Sequence, residues 1–230
     1  MLGLYIHIPF CAQKCRYCDF LSFGGKNEGD MGEYLSLLCA EIGLLPRRGE
    51  RLSSVFIGGG TPSILPAAAL PELLNRMGRR FGLSGAEITA EANPGTLDEA
   101  KLFAWRQAGI NRLSLGFQSL NDMELKRIGR IHTGEQAAEA FKTARAAGFE
   151  NINIDLMYGL PGQSVSSCLR SLERAVSLNP EHVSFYSLIL EEGTPLFCDI
   201  SSGKETLPNE DETAEQGDAG AAFLKAEGFE

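Results

Sequence analysis

Residues 4–18 read LYIHIPFCAQKCRYC. Leu4–Ile8 is short, apolar and β-branched, the composition of a buried strand. It runs into a loop that carries cysteines at 11, 15 and 18. Five runs of similar character follow: Ser54–Ile57 (SVFI), Ile88–Ala90, Arg112–Leu115 (RLSL), Asn151–Leu156 (NINIDL) and His182–Leu190 (HVSFYSLIL). Several stop on turn residues: glycines at 58–60, Asn93-Pro94-Gly95, Gly116, and Gly159-Leu160-Pro161-Gly162.

Helical patterns fill the gaps. Leu35, Leu38, Ile42 and Leu45 form one apolar stripe, opened by an expected capping box at Asp30 and Glu33 and ended by Pro46. Leu70, Leu73, Leu74 and Met77 form a second. Thr96 with Glu99, and Thr133 with Gln136, read as further capping boxes, with Gly109 and Gly148 closing those helices. Leu169, Leu172 and Val176 continue the alternation before Pro180. A repeated β-α order implies an α/β protein with a parallel sheet and right-handed crossovers. The units number six, which suggests an incomplete (β/α)6 TIM-like barrel, since a full one has eight; a doubly wound open sheet is the alternative. Both put the chemistry at the C-terminal ends of the strands. Residues 1–200 are expected to form the partial barrel. Residues 201–230 read as a polar linker and the start of a further helix at Ala221–Ala226, leading to a C-terminal domain that these residues do not include.

The chain has 230 residues, 21 Lys plus Arg and 30 Asp plus Glu, for a net charge of −9. That balance, with no basic run, argues against nucleic-acid binding. No stretch approaches 18 apolar residues, so no integral membrane segment is expected, and residues 1–15 lack the pattern of a secretory leader. The compartment reading is cytoplasmic, where thiols stay reduced and a disulfide framework is disfavoured. Three of the six cysteines, Cys39, Cys168 and Cys198, lie singly and read as small buried hydrophobes.

The other three have the spacing Cys-x3-Cys-x2-Cys. Three thiolates this close can converge on one metal centre. A cubane iron–sulfur cluster normally takes four cysteines, so three leave one iron open. An open position separates a reactive metal site from a closed structural one. Such an iron can chelate an amine and a carboxylate, as the methionine end of S-adenosylmethionine (SAM) offers. Structural zinc is the competing reading; it needs a fourth ligand, for which His7 is the nearby imidazole.

Cys11, Cys15 and Cys18, with Tyr17 among them, resemble the radical SAM superfamily. Tyr5–Cys11 (YIHIPFC), Gly58–Pro62 (GGGTP), Glu91–Pro94 (EANP), Ser114–Ser119 (SLGFQS), Gly129–His132 (GRIH) and Asp155–Gly162 (DLMYGLPG) occur in that order. Together they resemble the oxygen-independent coproporphyrinogen III oxidase family, and within it the heme-chaperone branch. The resemblance implies a [4Fe-4S] cluster on Cys11, Cys15 and Cys18. It implies SAM contacts at Tyr5, Tyr17, Gly59, Gly60, Thr61, Glu91, Gln118, Arg130 and Asp155. It also implies heme or a porphyrin, an apo-hemoprotein acceptor and an electron donor as partners. Oxidases of the family carry a further cysteine two residues after the third; here that position is Phe20, which favours the chaperone over the oxidative decarboxylase. A structural zinc or redox-sensing protein is the reading outside the family. His132 matches a family histidine of unassigned role, while His7 and His182 read as structural.

Overall fold

The computed structural model describes residues 2–46 and 51–230. Among these residues six strands form one sheet: β1 (Leu2–Ile8), β2 (Leu52–Gly59), β3 (Glu87–Ala92), β4 (Arg112–Gln118), β5 (Ile152–Tyr158) and β6 (His182–Ser187). All neighbours are parallel, and their order in the sheet is their order in the chain. A doubly wound sheet reverses direction at a switch point; this one never does, so the partial barrel is the architecture.

Alternation along each strand sorts the residues onto two faces. Ile6 and Ile8 of β1, Leu113, Leu115 and Phe117 of β4, and Ile152, Ile154 and Leu156 of β5 join one continuous apolar core. The helices close that core from outside: α1 (Glu28–Leu44), α2 (Ala69–Arg80), α3 (Glu99–Gln107), α5 (Gly134–Ala146) and α6 (Val165–Val176). Trp105, Phe117, Phe141 and Phe149 are among its largest fully buried side chains. Each such burial contributes roughly 1.5–3 kcal/mol or more relative to exposure. The opposite face carries Ser114, Gly116, Asn153 and Asp155, which are polar or small.

The helix starts differ from expectation in two places. Asn27, with Asp30 as the reciprocal partner, caps α1, so Asp30 sits one turn inside the helix. Asp98 caps α3. Thr96 lies instead in the 3-10 turn Pro94–Thr96, where its hydroxyl donates to Asn93 O at 2.8 Å. In both cases a neighbouring Asn or Asp supplies the oxygen that the first free N–H groups need. The box at Thr133 and Gln136 is present as read. The last strand ends at Ser187, short of Leu190. A short helix, α4 (Asp122–Arg127), carries the chain from β4 towards Arg130, and another, α7 (Pro195–Ser201), follows β6. Cys198 on α7 is exposed and Cys39 half-buried, so only Cys168 is the buried hydrophobe that all three were expected to be.

The final helix, α8 (Glu210–Ala226), starts eleven residues before Ala221, capped by Asn209 and Glu212. It packs on α6 and β6. Gln216 is buried, accepts from Gly159 N at 2.8 Å and donates to Gln163 O at 3.0 Å. A side chain at Gly220 would begin 2.3 Å from the Phe185 ring. Gly220→Val therefore should cost about 1–3 kcal/mol through overpacking. Chemical denaturation is expected to report that loss, and limited proteolysis faster cleavage within α8. Wild-type stability in this variant would mean that α8 does not belong to the barrel core.

Candidate functional site

In a parallel sheet all strands end along one edge. A cavity of about 540 Å³ opens there, on the face opposite the apolar core. Cys11, Cys15 and Cys18 line it together with Tyr17, Gly59, Gly60, Thr61, Glu91, Gln118, Arg130 and Asp155. The residues singled out from the sequence thus come from five strand ends and one loop to a single place. Tyr5 is the exception. It stands half-exposed on β1 outside that lining, with its hydroxyl 3.0 Å from His7 Nδ1 and its ring stacked on Phe56.

The loop holding the cysteines is tied to the barrel by backbone bonds. Gly60 N donates to Ile8 O at 2.8 Å and Thr61 N to Phe10 O at 2.7 Å, so the glycine segment docks edge-on against the start of the cysteine loop. Two of these glycines are required by space. Gly59 has φ +113°, and a Cβ there would lie 2.6 Å from the His7 ring; a Cβ at Gly60 would lie 2.6 Å from Phe10 O. Arg16 anchors the far side. Its N–H donates to Ile128 O at 3.0 Å, and its guanidinium donates to Arg127 O at 2.7 Å and pairs with Asp199 of α7.

Two of the sulfurs accept side-chain hydrogen bonds. Thr61 Oγ1 donates to Cys11 Sγ at 3.6 Å, and Arg130 Nη1 donates to Cys15 Sγ at 3.5 Å. Asn93 joins these donors. Its Oδ1 accepts from Arg130 Nη2 at 2.8 Å and its Nδ2 donates to Thr61 Oγ1 at 3.0 Å. Guanidinium has no acceptor, so the amide's orientation follows from chemistry. Arg130 Nη2 also donates to Gly116 O, while its Nε is buried with no partner among the described residues. An unmet buried donor beside the cysteines suits an anionic ligand group.

The carboxylates lie deeper. Glu91 accepts from Gly59 N at 3.1 Å; burial, with Asp155 nearby adding to it, pushes its pKa up to about 7. Burial also raises Asp155, opposed by hydrogen bonds from neighbours including Asn153 and Ser114. Gln118 occupies left-handed backbone space at φ 67°, where the β4–β5 register shifts. That conformation costs a non-glycine residue of order 1–3 kcal/mol and is held by its surroundings; Tyr186 donates to its Oε1 at 2.9 Å. Burial raises Tyr17 well above the usual phenol range. His132 is buried behind Arg130 with Nε2 3.2 Å from Phe117 O, and burial lowers its pKa to about 4, so it is neutral at physiological pH. Sequence reasoning missed Asn93, Ser114, Asn153 and Tyr186 as parts of the site. Asn93 and Ser114 lay inside quoted motifs; Asn153 and Tyr186 gave no local signal beyond strand alternation.

Three thiols on one cavity wall offer soft ligands of the kind that iron–sulfur clusters take. Among the described residues, no three His, Cys, Asp or Glu side chains converge tightly enough to hold a single metal. The three thiols nevertheless share one cavity wall, with charged and polar donors around them. Among the described residues, no helix is long and apolar enough to cross a membrane.

Residues 5–175 match the radical SAM superfamily. The chain is 41% identical over 232 residues to the heme chaperone HemW of Escherichia coli, covering 100% of this chain and 60% of that protein. It is 39% identical over 233 residues to the heme chaperone HemW of Bacillus subtilis, covering 100% of this chain and 61% of that one. The solved coproporphyrinogen III oxidase HemN of Escherichia coli superimposes with a TM-score of 0.87 at 30% identity, over 99% of this chain and 53% of that chain. The chain thus spans about 60% of the length of these curated relatives. The match runs from β1 into α6 and contains all three cavity thiols, and this chain belongs to the radical SAM superfamily.

Proposed function

We propose that this chain is the radical SAM portion of a heme chaperone, a cytoplasmic protein that binds heme and passes it to an apo-hemoprotein. The observation that carries the reading is the shared cavity of Cys11, Cys15 and Cys18 with Glu91, Gln118, Arg130 and Asp155. In this reading the three cysteines hold a [4Fe-4S] cluster. The carboxylates and Gln118 hold the ribose and ammonium of SAM, and Arg130 its carboxylate. When bound, the cluster supplies one low-potential electron for reductive cleavage of SAM. The protein's own part is positional: Gly59 and Gly60 let the ligand approach the backbone, and Tyr17 lies beside the SAM. An electron donor and the acceptor hemoprotein are partners. A further domain, which the relatives' extra length can accommodate, completes the contacts to heme.

The second reading is the oxygen-independent coproporphyrinogen III oxidase, supported by the similarity to that enzyme's structure. Phe20 weighs against it. At the position where that branch has a cysteine, this chain has a 71% exposed phenyl ring at the cavity wall.

Anaerobic reconstitution is expected to load about four irons and four sulfides per chain, with an electron paramagnetic resonance signal after one-electron reduction by dithionite that changes on adding SAM. Cys15→Ser should lose this centre; full iron content in that variant would overturn the ligand set. The loaded protein should transfer heme to an apo-hemoprotein. Anaerobic conversion of coproporphyrinogen III would reverse the order of the two readings.

Glu91 gives a separate test. Its folded pKa lies above the usual carboxylate range, so the folded ligand-free chain keeps a proton that the unfolded chain has released. Glu91 therefore contributes a stability loss as pH rises from about 5 to about 7. His132, lowered to about 4, has the opposite sign, with stability lost as pH falls below its unfolded value. The comparison is thus made between wild type and Glu91→Gln, which both keep His132. The variant's thermal midpoint should gain on wild type as pH rises through this window; a constant difference would contradict a buried, raised carboxyl.

A further inference from the structure

Lys101 lies in the first turn of α3 and is buried, only 9% exposed. Its backbone N–H is taken by the cap Asp98 at 2.7 Å. Its ammonium donates to Ser63 O at 2.6 Å and to Thr96 O at 3.0 Å. Among the described residues it forms no salt bridge. A buried ammonium bonded to main-chain carbonyls does little for surface charge, but it fixes the backbone that carries them.

Those carbonyls belong to two 3-10 turns, Pro62–Ile64 after the glycine segment and Pro94–Thr96 after β3. The same turns are joined a second time, because Ser63 Oγ accepts from Asn93 N at 3.0 Å. Asn93 is the residue that receives Arg130 and donates to Thr61, the two groups that donate to Cys15 and Cys11. An unbroken line of hydrogen bonds and backbone therefore runs from the lysine to two sulfurs.

We propose that Lys101 is a positioning residue for the cysteine site: by clamping the turns at Ser63 and Thr96 it holds Asn93 where Thr61 and Arg130 deliver hydrogen bonds to Cys11 and Cys15. The inference rests on the reading that these cysteines hold an iron–sulfur cluster. Hydrogen bonds to ligand sulfur draw negative charge off the thiolate and favour the reduced centre. Loosening them makes the centre harder to reduce and easier to strip.

The test compares reconstituted wild type with Lys101→Met, which keeps a long side chain and removes the donors. The variant should show a more negative midpoint potential in a redox titration followed by electron paramagnetic resonance. It should also lose iron to a chelator about tenfold faster, the scale on which outer ligand partners act. Thr61→Val, which deletes only the hydroxyl facing Cys11, should shift the potential in the same direction. Leu102→Ala, the fully buried neighbour on α3, provides the contrast: it should lower the melting temperature without moving the potential. If Lys101→Met fails to fold, Lys101→Gln takes its place, since it removes the ammonium and shortens the side chain, so that the carbonyls of Ser63 and Thr96 are no longer both held. A wild-type potential in whichever variant folds overturns the proposal and leaves Lys101 a brace for stability alone. A wild-type chain that takes up no iron and sulfide overturns the underlying reading, and this inference with it.

Discussion

Six parallel strands paired in chain order impose a strict division of labour on their residues. Each strand is hydrogen-bonded within the sheet, and its side chains alternate between two faces. One face is sealed by helices and must be apolar: Ile57, Ala90, Leu115, Ile154 and their neighbours form a continuous core. The other face is then free of packing duty near the strand ends. Ser114, Gly116, Asp155 and Glu91 occupy it, and a slip of one residue in any strand would exchange core for site. The barrel is thus both scaffold and sorting device. It gathers functional groups far apart in sequence at one edge, because parallel strands all end there.

That gathering is finished by polar contacts rather than apolar ones. Thr61 follows β2, Asn93 follows β3 and Arg130 follows α4, and these three meet in one hydrogen-bonded relay ending on two sulfurs. Each bond contributes modestly on its own, about 0.5–1.5 kcal/mol for a neutral pair. Their larger effect is geometric. They set where the donors stand before any ligand arrives, and preorganised donors act without reorganising at the moment of need. Gln118, held in a costly backbone conformation at the β4 bulge, shows the same priority of position over local comfort.

Much of this was legible from residue order, and the failures have physical reasons. The strands declared themselves because buried β-structure needs apolar, β-branched runs. The start of α8 did not, because its buried contacts are made by Gln216 and Gly220 rather than by an apolar stripe. A helix that packs through glycine against an aromatic ring, as Gly220 does against Phe185, leaves no hydrophobic periodicity to read. The two misplaced caps, at Asp30 and Thr96, came from stretches where several residues could supply the capping oxygen, and backbone geometry chose among them. Residue type alone predicts burial for Cys39 and Cys198, but it says nothing about which side of a helix faces out.

By itself the sequence determined the α/β order, the cysteine triplet on the first strand's loop and about half of the residues that line the cavity. These are local properties: periodicity, spacing and motif survive without a fold. Tertiary structure alone decided that Tyr5 stands outside the lining, that Asn93 joins Thr61 to Arg130, and that Lys101 clamps the turns beneath them. The contacts Thr61–Asn93, Asn93–Arg130 and Ser63–Lys101 join residues more than 30 apart in the chain, and such partners are settled only when the sheet brings their segments to one edge.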